Sequence, residues 1–280
     1  MILSFHPIFT ADQNIICAGR KPTADDRSAI QAADAVILPQ GCDESLYRLT
    51  RQNCRRVFPN YDTRFGYPGK IGQIRLFYEN KVNYPVSEIF DSVDSFKKLY
   101  HGALPTLSFS FPMIFKFNWG GEGESVFLIQ TGEQLHDAIQ RAAAFEGTDQ
   151  MGFIIQKFIP NPNRTLRVAV IGQKRISYWR VQKNRDTFHA SLAKGAIIDA
   201  DADPELQALA VSETNAFCKK TNIDLAGFDF LFSDVQESFF LEINYFFGRR
   251  GLGGSEKYYP MLVEEITRWL SGQGLKIGSC

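Results

Sequence analysis

Few of the residues that staple or metallate small proteins are present in this 280-residue chain, which has five cysteines and four histidines. Cys17, Cys42, Cys54, Cys218 and Cys280 are odd in number, scattered and never spaced C-x-x-C, and the histidines are equally dispersed. Neither a disulfide scaffold nor a zinc site is indicated. Net charge is lacking too: Lys and Arg together number 31, Asp and Glu 31. That balance removes the broad cationic field on which non-specific binding of nucleic acid or an acidic membrane relies, although a local basic groove survives the averaging. No stretch approaches the roughly 20 apolar residues that span a bilayer, and residues 1–9 lack the basic flank and long apolar region of a signal peptide. The expectation is a soluble, cytoplasmic protein with no nucleic-acid and no membrane partner.

What is present is a core-forming composition, 44% hydrophobic and 13% aromatic, over about two domains' worth of length. β-like runs at 15–18, 35–38 and 56–58 alternate with helix-like runs at 24–33 and 43–53, which reads as a small parallel α/β unit. Turn-rich NYDTRFGYPGK, residues 60–70, places a boundary near Gly66. Beyond it come a helix at 71–78, an extended stretch at 84–90, a short helix at 93–100 and an apolar strand at 112–117. Thr131 opens a helix, with Gln134 at the capping-box position and Leu135, Ala138, Ile139, Ala142 and Phe145 at helical spacing. Strands at 153–159, 166–171 and 175–182, a helix at 205–220, strands at 228–232 and 239–244 and a helix at 255–270 complete the chain. Strands that follow one another directly predict an antiparallel sheet with helices on one face.

Four segments carry chemistry. In GFDFLFSDVQESFFLEIN, residues 227–244, two apolar runs flank a turn. A hairpin pairing Asp229 with Glu242, Leu231 with Phe240 and Ser233 with Ser238 puts Asp229, Glu242 and Asn244 on one face. Phe228, Phe230, Phe232, Leu241 and Ile243 then lie on the other. Two carboxylates so close repel unless a cation sits between them, and oxygen donors without His or Cys suit Mg²⁺ shared with phosphates; a solvated hairpin face fits the same residues. Second, Lys116 lies on an apolar strand before a turn containing Gly120, Gly121 and Gly123, where backbone amides can approach a phosphate, though the context is neither Walker A nor Rossmann and a plain hairpin turn also fits. Third, Gln156, Lys157, Phe158 and Ile159 end a strand at a proline turn. Fourth, Arg167 and Arg180 stand on successive strands, followed by a polar loop with Lys183, Arg185 and Lys194. Guanidinium forks grip phosphate bidentately, while Lys183 and Arg185 read first as solvated surface.

Taken in order, with Lys70 after its turn, this set resembles the ATP-grasp superfamily, in the branch of glutathione synthetase and the ribosomal-protein glutamate ligases. The resemblance runs from about Lys70 to the end and implies an α/β and α+β architecture: two α+β lobes clasping ATP, residues 67–155 and 156–280, preceded by a small parallel α/β domain, residues 1–66. It implies Lys70 and Lys116 on the ATP phosphates, the 120–123 loop folded over them, Gln156, Lys157, Phe158 and Ile159 as the adenine hinge, and Arg167 beside the nucleotide. It further implies Asp229, Glu242 and Asn244 on two Mg²⁺ ions, with Mn²⁺ as a substitute, and Arg180 and Lys194 at the transferring phosphoryl group. Ser191 stands where the branch commonly has Asn. After the Glu-x-Asn motif, small residues give way to YFFGRRGLGG, so Arg249, Arg250 and Gly251 become substrate-site candidates, because free amides at a helix start favour an anion. The activity implied is ligation of a small-molecule or peptide carboxylate to an amine, less readily a thiol; the branch includes monomers, dimers and tetramers, so the assembly stays open, a homodimer being one option. A kinase acting on a hydroxyl and a non-catalytic ATP-binding protein are the alternatives.

Overall fold

A computed structural model describes residues 1–100, 107–121, 124–161, 163–183 and 195–276. Among them, the N-terminal part contains β1 (Ile2–Ser4), β2 (Gln13–Asn14), α1 (Ala24–Ala32), β3 (Ala35–Ile37), α2 (Glu44–Asn53) and β4 (Val57–Phe58). The strands form a parallel sheet in the order β2-β1-β3-β4. Local chemistry fixes the helix starts: Thr23 and Asp26 close a reciprocal capping box on α1, and Asp43 accepts from the Ser45 amide at 2.8 Å to cap α2. The first strand carries no sequence period because it is short and buried on both faces, Ile2, Leu3 and Ser4 all being at most 1% exposed.

After the short α3 (Asp62–Gly66) and then α4 (Gly69–Glu79), the small lobe comprises β5 (Ser87–Phe90), α5 (Val93–Tyr100), β6 (Met113–Phe117), β7 (Val126–Ile129), α6 (Gly132–Glu146) and β8 (Phe153–Lys157). Its antiparallel sheet has the order β5-β8-β6-β7. Phe90, Phe153 and Phe115 stack in a row, 5.1 and 5.0 Å between centroids, against Phe96 of α5 and Leu135, Ala138 and Ala142 of α6. The Thr131 cap on α6 forms as expected, but Gln134 turns back to the Gln130 amide at 2.7 Å, one residue earlier than a capping box requires.

The large lobe holds β9 (Arg164–Ile171), β10 (Lys174–Val181), β11 (Ile197–Asp199), α7 (Pro204–Thr221), β12 (Leu225–Phe232), β13 (Ser238–Asn244) and α8 (Gly254–Gly272). The strands form an antiparallel sheet in the order β11-β10-β9-β12-β13. Helices cover both faces rather than one. Val168, Val170 and Phe228 pack on the α7 side with Ala210 and Phe217, and Ala169, Ile171 and Leu225 pack on the α8 side with Leu262 and Ile266. The six consecutive buried residues 166–171 are the signature of a strand covered twice. The first of these cores continues through Ile71 and Ile74 of α4 into Leu38 and Leu46 of the N-terminal part, and α8 also buries Ile2, Ile37 and Phe58. Residues 1–66 are therefore joined to the large lobe by common cores, while most of the small lobe packs in its own, with Ile154 of β8 entering the first. β8 belongs to the small-lobe sheet and runs through the expected 155/156 boundary to Lys157. No helix among the described residues is long and apolar enough to cross a membrane.

Candidate functional site

A row of side chains crosses the large sheet on one face. Glu242 on β13 pairs with Asp229 on β12, Asp229 with Arg167 on β9, and Arg167 with Tyr178 on β10. Directly opposed residues of neighbouring strands share a face, so one acid-acid-arginine-tyrosine row follows from register alone. Asn244 stands opposite Gly227 in the next row. The hairpin keeps the expected register through Asp229 and Glu242 and then slips at a bulge, so that Phe230 pairs with Phe240 and Leu231 with Phe239. The extra residue reverses two side chains. Phe240 enters the α7 core, 4.5 Å from the Phe230 ring and 5.3 Å from Phe217, whereas Leu241 lines the cleft beside Glu242. The sequence pattern assigned those two residues to the opposite faces.

Asp229 is the hub of the row. Its Oδ1 accepts from Arg167 Nε and, at 2.8 Å, from Arg180 Nη2; its Oδ2 accepts from Arg167 Nη2 at 2.9 Å and from Asn244 Nδ2 at 3.0 Å. Four donors fill the roughly four acceptor positions of a carboxylate. Burial alone would push the Asp229 carboxyl up, but the two guanidiniums hold it below its ordinary range. Arg167 reaches it across Gly227, where a Cβ would lie 2.7 Å from the guanidinium. Arg180 also donates to Thr165 Oγ1 at 2.9 Å.

The small lobe supplies cations of a different kind. Lys70, in the first turn of α4, donates to the carbonyls of Trp119 at 3.0 Å and Gly120 at 2.8 Å and to Ser125 Oγ at 3.1 Å, so its ammonium ties down the glycine turn. Lys116 on β6 is buried and has no hydrogen bond or ion pair among the described residues. Desolvation pushes its ammonium down to about 8, with Glu242 opposing and Lys70 adding to the shift. Glu242 itself is half-buried, and nothing among the described residues bonds its carboxylate. Gly121 lines the cleft, and Gly123 lies outside the described residues.

The same cleft is lined by Gln156, Lys157, Phe158 and Ile159. Strand pairing stops at Lys157, whose amide donates to Val86 O, and Gln156 is fixed by its side chain on Ser87 Oγ at 2.8 Å. Arg249 and Arg250 do not line the cleft: Arg249 bonds Ser255 Oγ at 3.1 Å and lies over the Tyr259 ring at 4.6 Å. Gly251 touches the site indirectly, packed flat on Tyr178, where a Cβ would fall 2.0 Å from the ring. Ser191 and Lys194 lie outside the described residues.

Three residues of the arrangement escape sequence inspection. Asn118, just after β6, accepts from the Lys70 amide through its carbonyl and from the Ile71 amide through its side chain, anchoring α4 to the strand that carries Lys116. Gln73 donates to Ile243 O and accepts from Ile243 N, both at 2.8 Å, completing the free edge of β13 between Glu242 and Asn244. Its position three residues after Lys70 on one helix face was the available signal. Tyr178 lies two residues before Arg180 and so shares its face.

No group of three or more His, Cys, Asp or Glu with metal-holding geometry occurs among the described residues. The donor set is Glu242 and the Asn244 side-chain oxygen, hard oxygen ligands of the kind Mg²⁺ takes. Asp229 joins a cation's shell only by exchanging one of its present partners.

The family model for the RimK-like ATP-grasp domain matches residues 69–266, and the chain belongs to that family. Solved structures agree in fold. A RimK domain ATP-grasp protein from Sphaerobacter thermophilus is 13% identical with a TM-score of 0.62, covering 94% of this chain and 98% of its own. N5-carboxyaminoimidazole ribonucleotide synthetase from Thermotoga maritima is 16% identical with a TM-score of 0.62, covering 99% of this chain and 70% of its own. D-alanyl-alanine synthetase A from Vibrio cholerae is 13% identical with a TM-score of 0.60, covering 85% and 77%. No curated protein matches the chain in sequence.

Proposed function

We propose that the protein is an ATP-dependent carboxylate-amine ligase, turning ATP into ADP and phosphate through an acylphosphate. The observation that carries this reading is the Lys116 ammonium, buried against the cleft without a partner among the described residues, while Glu242 offers to the same space a carboxylate that none of them bonds. A buried cation of this kind gains most from an anionic ligand, and a buried Lys beside acceptor oxygens suits a metal-bound triphosphate. Membership of the RimK-like family and the ligase names of its structural neighbours support the reaction class.

In this reading the bound nucleotide lies between the lobes, its base along residues 156–159 and its phosphates toward Lys116 and the glycine turn held by Lys70. Mg²⁺, held by Glu242 and Asn244 with Asp229 adjoining, would supply charge neutralisation of the phosphates. Arg180, fixed by Asp229 and Thr165, is oriented toward charge on the transferring group. A substrate carboxylate oxygen attacks the γ-phosphorus, an O–P bond forms and the β–γ bridging bond breaks to release ADP. An amine nitrogen then attacks the acyl carbon, the C–N bond forms, phosphate leaves and the nitrogen loses a proton. Positioning and electrostatics carry both steps, and no protein nucleophile is required. Neither Arg249 nor Arg250 lines the cleft, so their placement gives no support to a kinase gripping a phosphorylated substrate.

The test is release of ADP and orthophosphate from Mg²⁺-ATP across a panel of amino acids, dipeptides and amines, in the wild type and Glu242→Ala. Release that needs both an acid and an amine and is lost in the variant sustains the ligase. A phosphorylated hydroxyl product, or binding without turnover over the whole panel, overturns it.

A further inference from the structure

A second cleft, of about 710 Å³, opens where the C-terminal ends of α2, α7 and α8 meet the start of β10 and β12. It is separate from the catalytic cleft. Arg175 and Asp224, which line it, precede Arg180 and Asp229 by five residues on β10 and β12, about 17 Å along each strand. Arg51, Arg55, Arg56, Arg175 and Lys219 face it together with Asn60, Asn215, Asn222, Gln273 and Trp269.

Helix C-termini attract cations, which accounts for Arg51 and Lys219, and Arg51 is further paired with Asp62 at 2.8 Å. Arg55 and Arg56 follow the C-cap Cys54 of α2 and so lie near the same helix end, whereas Arg175 stands on β10; none of the three has an acidic partner within salt-bridge distance among the described residues. Arg175, which lines the cleft, is also held in place: Nε donates to Asn215 Oδ1 at 2.8 Å and Nη1 to the carbonyls of Gly172 and Lys174, leaving Nη2 without a partner among the described residues. The one carboxylate in the cleft, Asp224, accepts from the Asn60 amide at 2.8 Å, and burial pushes its carboxyl up to about 7, which weakens its repulsion of an anion near neutrality. Trp269 is half-buried with Phe58 5.7 Å from its ring, a platform of the type on which heterocycles stack.

We propose that this cleft is a second anion site that takes a phosphorylated small molecule, its phosphate on the Arg55, Arg56 and Arg175 guanidiniums and a ring, where the ligand has one, on Trp269. A concave pocket of this size suits a small molecule rather than a polymer. Guanidinium forks match phosphate geometry.

The test is calorimetric titration of the full chain with inorganic pyrophosphate and then with AMP, read as the number of sites. The wild type is expected to show two sites for pyrophosphate, Lys116→Met to lose the catalytic one, and Arg55→Glu, at an exposed residue whose side chain bonds nothing among the described residues, to weaken the other at least tenfold. Arg175→Gln, with circular dichroism showing the fold intact, should do the same. AMP binding tighter than pyrophosphate with quenching of Trp269 emission identifies a nucleotide; equal affinity without quenching identifies a simple phosphate compound. A single site abolished by Lys116→Met, or second-site binding indifferent to both arginine substitutions, overturns the proposal. Loss of turnover in the ligase assay with the second site intact leaves it standing.

Discussion

Lys116 in the small lobe and Arg167 in the large lobe are both buried cations on central strands of their sheets, facing one cleft, yet their surroundings are opposite. Arg167 and Arg180 are closed on Asp229 by three charge-assisted bonds, and Asn244 takes the remaining acceptor position of the carboxylate. Lys116 has no such partner, and Lys70 has only uncharged oxygens. An arginine pair locked on a carboxylate is low in energy and fixes geometry; a desolvated ammonium is high in energy until an anion arrives. The large lobe thus supplies a preorganised floor and the small lobe the unsatisfied charge.

The largest effect should come from breaking the floor. Asp229→Asn leaves the buried Arg167 and the partly buried Arg180 without their counter-charge and is expected to cost about 3–5 kcal/mol of stability, read from the midpoint of denaturant unfolding. Lys116→Met should do the reverse: stability unchanged or raised, and kcat/KM for ATP reduced by about 10²–10³ as for loss of a positioned charge-stabilising donor. A destabilised Lys116→Met protein would contradict the contrast between the lobes.

The pH dependence sharpens it. The Lys116 ammonium is pushed down to about 8 from an ordinary 10.5, so between those values the unfolded chain holds a proton that the native chain has released. Stability from this group therefore rises with pH through that window, while nucleotide affinity falls above about pH 8 as the ammonium loses its charge. The difference between wild-type and Lys116→Met unfolding curves across this range isolates the group. A smaller effect is expected for Gln73→Ala. Losing two neutral hydrogen bonds at the β13 edge should cost about 1–2 kcal/mol and raise the Mg²⁺ concentration for half-maximal activity, because Ile243 sits between Glu242 and Asn244.

Much of this site was legible because it is built on strands. Alternation and one correct pairing sufficed to bring Asp229, Glu242 and Asn244 to one face, and the arginine strands followed. The same reasoning failed at Phe240 and Leu241, because the bulge is set by aromatic packing against Phe230 and Phe217 that no local pattern encodes. Gln73 and Asn118 were illegible for a related reason: each acts by bonding backbone far away in the chain, and backbone carries no sequence label. Arg249 and Arg250 looked like a substrate clamp from their glycine-rich setting, but Tyr259 and Ser255 at the start of α8 take the Arg249 guanidinium instead.

The sequence by itself determined most of the helices and strands, the Thr131 cap of α6 and the common face of Asp229, Glu242 and Asn244, since these rest on periods of two and 3.6 residues and on bonds between near neighbours. Only the tertiary structure decided that helices cover both faces of the large sheet, that Asp229 is saturated while Lys116 and Glu242 are not, and that arginines from α2 to β10 converge on a second cleft. Desolvation and pairing of charge depend on which distant segments close over a residue, and that is a property of the packed chain rather than of any stretch of it.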